Sequence, residues 1–457
     1  MSTESPPGLE RARQRAGIDA EAWAELRAAA LRVLEGNRQQ GISEWKTERY
    51  PEGVPYNFVC PANLSYPFQW FWDSCFHAIV LSHLAPTLAE EELRTLVRAA
   101  QPDGFIPHIV FWRRDPERMR HHTIHLRHPY FTSTIQPPVL AAAIERVYRA
   151  TGNPDFLRET LPPAAAFFRW LGQARDPDGD HLIAIIQPDE SGVDASPKYD
   201  ALMQLDELNN RALVASINRL YDRYEREGLR GDDHRLIAAD LFVVEDVIVN
   251  AIYADGLERM ATLLRELERV GMAALLVGGQ EVSCEREAHR CETEAQAVTD
   301  ALLAKCYDAD TGLFYDLQAL AERPARINTI SSLFPLILRT LPHAVADRMV
   351  REHLLNREEY WLPYPVPSVA RSEPKFDPDD PHGFIWRGPT WINANWFLAA
   401  ALRRSGWTEP ADHLVRQSVA LVRGAGFREC YNPLTGAGQQ ARDFGWSTLV
   451  VDMILGE

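Results

Sequence analysis

Apolar side chains recur every three to four residues through most of this chain. Val139, Leu140, Ala143, Ile144, Val147 and Tyr148 share one helical face, and Gly152 stands where a left-handed helix end is easiest. Asn153-Pro154 then reads as an N-cap and first-turn proline, opening a helix that carries Phe156, Leu157, Phe167, Phe168 and Trp170. Comparable stripes predict helices near residues 20–36, 74–84, 87–100, 200–226, 240–269, 292–306, 330–355, 391–404, 408–423 and 445–455. Strand-like alternation is confined to short pieces such as His181-Leu-Ile-Ala-Ile-Ile186. The intervening segments 38–65, 101–133, 176–199, 357–390 and 424–444 are long and rich in Trp, Tyr, Asp and Pro. They are too aromatic for disorder, so they are expected to carry function.

This pattern predicts an all-α fold in which helical hairpins close into a toroid around a central pit, with the long loops at one rim. Residues 1–16 read as an N-terminal arm with room to be loose, and residues 17–457 as one catalytic domain. No low-complexity tract divides the chain, and Glu373-Pro-Lys-Phe-Asp-Pro-Asp-Asp380 reads as a charged loop, not a domain joint.

Composition narrows the partners. Of 457 residues, 46% are hydrophobic and 25% charged, ordinary for a globular protein with a large core. A net charge of -16 argues against nucleic acid, whose phosphates need clustered Lys and Arg. No apolar run approaches the ~18 residues of a membrane span, and the N-terminus shows no basic-then-apolar leader. Six cysteines in no pairing motif fit reduced thiols in a cytoplasm. Cys284, His289 and Cys291 match no zinc spacing, and Asp176-Pro-Asp-Gly-Asp180 reads as a turn in preference to a calcium loop. No metal or cofactor is expected, and a homo-oligomer is left open.

The candidate chemistry lies in four segments. One is Gln187-Pro188-Asp189-Glu190-Ser191-Gly192-Val193-Asp194, where Asp189, Glu190, Asp194 and the nearby Asp200 compete for a role. Another is Glu429-Cys430-Tyr431-Asn432-Pro433, which leads to Trp446 at the start of the last helix. Between them lie Tyr66-Pro-Phe-Gln69-Trp70-Phe-Trp72-Asp73, with His77 beyond, and Trp386-Arg387-Gly388-Pro-Thr-Trp391. Carboxylates paired across a fold suit glycosidic bond cleavage, where one acid protonates the leaving oxygen and one base activates water. Flat indoles pack on pyranose faces, while Asp, Asn, Gln and Arg divide the hydroxyls. Any single Trp is the better bet as core, and a lone Glu as surface; their company points to a sugar site. His77 and His108 stand evenly between core and sugar contact.

Read in order, Gln69-Trp-x-Trp-Asp73-Ser-x-Phe-His77, Glu190-Ser-Gly-x-Asp194-x-Ser-Pro197, Trp386-Arg-Gly-Pro-x-Trp391 and Glu429-x-Tyr431 resemble the family-63 glycoside hydrolases. The resemblance is to the bacterial branch containing mannosylglycerate and glucosylglycerate hydrolases, and more distantly to family-37 trehalases. It implies an (α/α)6 barrel, an inverting mechanism, Asp194 as general acid and Glu429 as general base. It also implies sugar contacts at Gln69, Trp70, Asp73, His77, Trp386, Arg387 and Trp391; Tyr66, Trp72, Glu190, Gly388 and Trp446 join them as candidates. Three positions depart from the family pattern: Asp189 replaces an aromatic residue, Ala195 an Asn and Ile385 a Tyr. The expected substrate is a small α-glycoside, foremost glucosylglycerate or mannosylglycerate. The alternatives are a neutral disaccharide or short oligosaccharide, and a helical-toroid sugar epimerase. An epimerase would need a histidine pair, and the signatures offer no convincing one.

Overall fold

The computed structural model describes residues 7–119, 126–205, 207, 209–379, 383 and 385–456. It is rich in helices, and eight of them pack as pairs consecutive in the chain. Phe71–Leu84 packs on Pro86–Val97, Leu140–Thr151 on Pro154–Ala174, Val247–Arg269 on Cys284–Ala301, and Ile392–Arg404 on Thr408–Ala425. The first member of each pair is the more deeply buried. Every residue from Phe71 to Ser82 and from Val247 to Leu257 is buried, the mark of a helix surrounded on all sides. These inner elements also touch one another in sequence. Phe71–Leu84 meets Leu140–Thr151, which meets Val247–Arg269; that helix meets the 3-10 segment Ile330–Ile337, which meets Ile392–Arg404. Ile392–Arg404 meets the 3-10 turn Gly445–Leu449, which returns to Phe71–Leu84. One connected set of buried side chains runs from Ala12 to Ile454.

The helix punctuation behaves as its chemistry dictates. Gly152 ends its helix at φ 60°, and the Asn153 side chain accepts from Asp155 N with Pro154 in the first turn. The strands are short and join loops. Ala184–Ile185 and Val244–Glu245 belong to one four-stranded sheet, and Gln69–Trp70 and Ile109–Val110 to another.

Several expectations need correction. The stripe at 330–355 is not one helix: Ile330–Ile337 is 3-10, and His343–Arg348 resumes only after Leu338–Pro342. Pro335 and Pro342 remove backbone donors and crowd the preceding turn, which breaks the run. The 200–226 stripe divides into Asp200–Met203 and Asn210–Arg226, the second capped by the Asn209 side chain. The arm is not loose from residue 7 onward. Pro7–Ala16 is a helix that packs on Thr408–Ala425 and Val450–Leu455 and buries Ala12 and Ala16. Residues 1–6 of that expectation lie outside the described residues.

Candidate functional site

The strand Gln69–Trp70 pairs with Ile109–Val110 and runs straight into the helix Phe71–Leu84. Two outside acceptors hold the first turn: Phe71 N donates to His108 O at 2.9 Å, and Trp72 N to Gln136 Oε1 at 3.0 Å. That anchoring puts Asp73 in the first turn, 2% exposed, with Oδ1 lacking any partner. Burial, and after it the negative charge of Glu429, push the Asp73 carboxyl well above its ordinary range.

A second segment approaches from the end of the helix Pro154–Ala174. There Arg175 is fully buried and grips Glu190 with two parallel bonds of 2.7 and 2.8 Å. Ile186 N and Ile135 N donate to the same carboxylate at 2.7 and 2.9 Å. The chain then makes a 3-10 turn over Pro188–Ser191 and bends at Gly192, φ 72°. The Trp72 ring lies so close that a Cβ at position 192 would collide with it. Asp189 and Asp194 flank this bend. Burial raises the Asp194 carboxyl to about 6; burial and then the Asp194 charge raise Asp189 well above the ordinary carboxylate range.

The third segment is the strand Arg428–Tyr431, paired with Gly438–Arg442. Its register slips between Arg428 and Cys430, and Glu429 sits at the slip, where a bulge re-aims a side chain. The Glu429 carboxylate accepts from Tyr66 OH and from Ala441 N, each at 3.1 Å, and its main-chain oxygen accepts from Trp446 Nε1 at 3.0 Å. Tyr431 exchanges main-chain bonds of 2.7 and 3.0 Å with Thr390, next to Trp391. Trp386 stacks on Trp391 with ring centroids 3.7 Å apart and ring planes nearly parallel. Its φ is 64°, a conformation that costs a bulky residue about 1–3 kcal/mol and persists only where the surroundings impose it.

These segments enclose a cavity of about 360 Å³, within the range that holds a small ligand. Asp73, Asp194 and Glu429 all face it, with Tyr66, Trp70, Trp72, Trp386, Trp391 and Trp446 as its aromatic walls. Five candidates stand behind the wall. Gln69 is fully buried, accepting from Trp112 Nε1 at 2.7 Å and donating to Ser74 Oγ at 3.0 Å. His77 is fully buried beside Gly445, its Nδ1 3.0 Å from Val59 O, and burial lowers its ring to about 3, so it stays neutral. Glu190 is occupied by Arg175. Arg387 is bound in bidentate fashion by Asp200, with Nη1–Oδ2 at 2.9 Å. Gly388 lies against the Asp377 backbone, where a Cβ would come within 2.6 Å. Their common feature is that none of them is among the residues lining the cavity.

The cavity also recruits residues from outside the signatures. His108, Thr134 and Gln136 come from the segment after Ile106, and Asn210 and Leu213 from the helix Asn210–Arg226. Of these only His108 is a candidate from the sequence; nothing in the local sequence marks the others. A separate acidic group, Asp178, Asp180, Glu245 and Glu322, has ligand-type oxygens within 4.8 Å of one another. Lys305 reaches into it, binding Asp180 and standing 2.9 Å from Glu322, so the protein supplies a cation of its own there.

Known proteins match this chain in sequence and in fold. The mannosylglycerate hydrolase MGH1-like glycoside hydrolase domain matches residues 66–447. This chain belongs to that family. It is a glycoside hydrolase. Mannosylglycerate hydrolase of Thermus thermophilus is 32% identical over 420 residues, 85% of this chain and 94% of the relative. Glucosylglycerate hydrolase of Mycolicibacterium hassiacum is 28% identical over 433 residues, 85% of this chain and 92% of the relative. The crystal structure of a family-63 mannosylglycerate hydrolase from Thermus thermophilus, in complex with Tris and D-glycerate, superposes with a TM-score of 0.77. That match is 28% identical and covers 94% of this chain and 99% of the other. No helix among the described residues is long and apolar enough to cross a membrane.

Proposed function

We propose that this glycoside hydrolase cleaves a small α-glycoside with inversion, Asp194 acting as general acid and Glu429 as general base. The observation that carries the reading is that these two carboxyls face one aromatic-walled cavity in opposite chemical settings. Asp194 is held near 6 by burial, so it keeps a proton to give at mildly acidic pH. Glu429 accepts two hydrogen bonds, which suits an ionised group that must take a proton from water. In the reaction, Asp194 protonates the glycosidic oxygen as its bond to the anomeric carbon breaks. A water deprotonated by Glu429 attacks from the opposite face. Asp73 would bind sugar hydroxyls, and Trp386, backed by Trp391, would offer an indole face. Glu190 and Arg387 would act indirectly, fixing the acid loop and the Trp386 turn.

Glucosylglycerate and mannosylglycerate are the leading substrates, on the strength of the relatives' activities and the cavity's size. One observation favours a second reading, a neutral aglycone: among the described residues lining the cavity there is no Lys or Arg. We read the fold as an (α/α)6 barrel, supported by the circuit of six inner elements and their outer partners. Six free, buried cysteines favour a reducing compartment, the cytoplasm. Proton NMR during early turnover tests the mechanism: the β-anomer must appear first from an α-glycoside. First appearance of the α-anomer means retention and removes the assigned roles.

A further inference from the structure

Asp189 is the cavity residue with the least explained chemistry. It lies five positions before Asp194 on the same bend and shares the same cavity wall. Its Oδ1 is buried and receives no hydrogen bond from any described group. Immediately beside it, Glu190 receives four. A carboxylate with a buried, undonated oxygen is costly as an anion and far cheaper with a proton on it. The charged and titratable groups that act on Asp189 reinforce this. Asp194 on its own bend opposes a second negative charge, and Glu190 is neutralised by Arg175. Tyr221, from the helix Asn210–Arg226, is held neutral by burial.

The location fixes what such a group would meet. In an inverting reaction the base and its water stand on one face of the sugar, and the acid stands on the leaving-group side. Asp189 neighbours the acid, so it faces the leaving group. A carboxylate on that leaving group would find no Lys or Arg among the described residues of the wall, and needs a neutral donor instead. A carboxylic acid is such a donor, and an O–H bonded to a carboxylate oxygen is among the shorter and stronger hydrogen bonds.

We propose that Asp189, carrying its proton, is a specificity-determining residue that donates a hydrogen bond to a carboxylate on the leaving group. The proposal rests on the glycosyl-glycerate reading above. It makes recognition of the anionic substrate lapse as Asp189 ionises, because two facing carboxylates then repel each other across a poorly solvated gap. A neutral leaving group of the same shape escapes that penalty.

The test compares glucosylglycerate with glucosylglycerol across pH in the full-length enzyme, Asp189→Asn and Asp189→Leu, with thermal melts confirming that each variant folds. For the wild type, KM for glucosylglycerate is expected to rise about tenfold or more from acid to alkaline pH, a factor equivalent to one lost hydrogen bond to a charged group. KM for glucosylglycerol should stay nearly flat. Asp189→Asn keeps a donor that does not titrate, so the pH dependence of KM should vanish while the alkaline limb of kcat, set by Asp194, remains. Asp189→Leu should raise KM for glucosylglycerate alone. A wild type that prefers glucosylglycerol overturns both the substrate reading and the proposal. A wild type that prefers glucosylglycerate, with unchanged KM profiles in Asp189→Asn, overturns the proposal only.

Discussion

Asp189 and Glu190 are consecutive acidic residues, and the protein treats them in opposite ways. Glu190 is turned into the core, saturated by Arg175 and two backbone amides, and holds the acid loop in place. Asp189 is turned toward the cavity and left with an undonated oxygen. The same contrast runs through the whole site. Arg387 with Asp200 and Gln69 with Trp112 and Ser74 are closed polar networks that support the walls. Asp73 is an open group, facing the cavity with one oxygen that receives no hydrogen bond. A satisfied buried pair gives position, and an unsatisfied one gives chemistry.

The largest expected effects come from the reacting carboxyls. Asp194→Asn and Glu429→Gln should each lower kcat on an unactivated glycoside by about 10²–10⁴-fold with little change in melting temperature. A leaving group that needs no protonation, such as dinitrophenolate, should rescue Asp194→Asn but not Glu429→Gln. Equal rescue of both would erase the distinction between acid and base.

Next comes the supporting pair. Glu190→Gln leaves the buried Arg175 guanidinium with Asp233 as its one remaining carboxylate, so the stability loss should stay below the ~3–5 kcal/mol of a fully orphaned buried charge. Chemical denaturation should register that loss, while Asp189→Asn should unfold like the wild type. If the two variants were equally destabilised, the division into closed and open groups would fail.

The pH profile sharpens the contrast further. With the Asp194 carboxyl raised to about 6 by burial, its acid form is lost as pH rises through that value. The alkaline limb of kcat/KM should therefore fall near pH 6, and Asp194→Glu should move it. A limb unmoved by that substitution would assign it to another group.

The smallest effect belongs to a carboxyl remote from the chemistry. Glu92 accepts from Val59 N at 2.6 Å, yet burial raises it to about 8. A folded-state value above the unfolded one means that the folded protein binds more protons between roughly pH 4.5 and 8. Stability from this group is thus complete below pH 4.5 and is lost as pH rises toward 8. Glu92→Gln should flatten that decline in melting temperature. An unchanged slope would show that Glu92 is already ionised at neutral pH.

The sequence by itself carried the helices whose faces repeat at 3.6 residues, the Gly152-Asn153-Pro154 punctuation between two of them, and the four signatures with their carboxylates. These are local properties: side-chain period, capping chemistry and residue type are all read within a few positions. Long-range geometry carried the rest. Arg175 lies in no signature and becomes visible only when the end of its helix meets Glu190. Gln136 and His108 matter because they hold the first turn that aims Asp73. The slip at Glu429 depends on how its strand pairs with Gly438–Arg442, and the left-handed Trp386 is held where its ring stacks on Trp391. Whether an acidic residue supports the wall or faces the ligand is decided by donors brought to it by folding. Only the tertiary structure could separate Glu190 from Asp189.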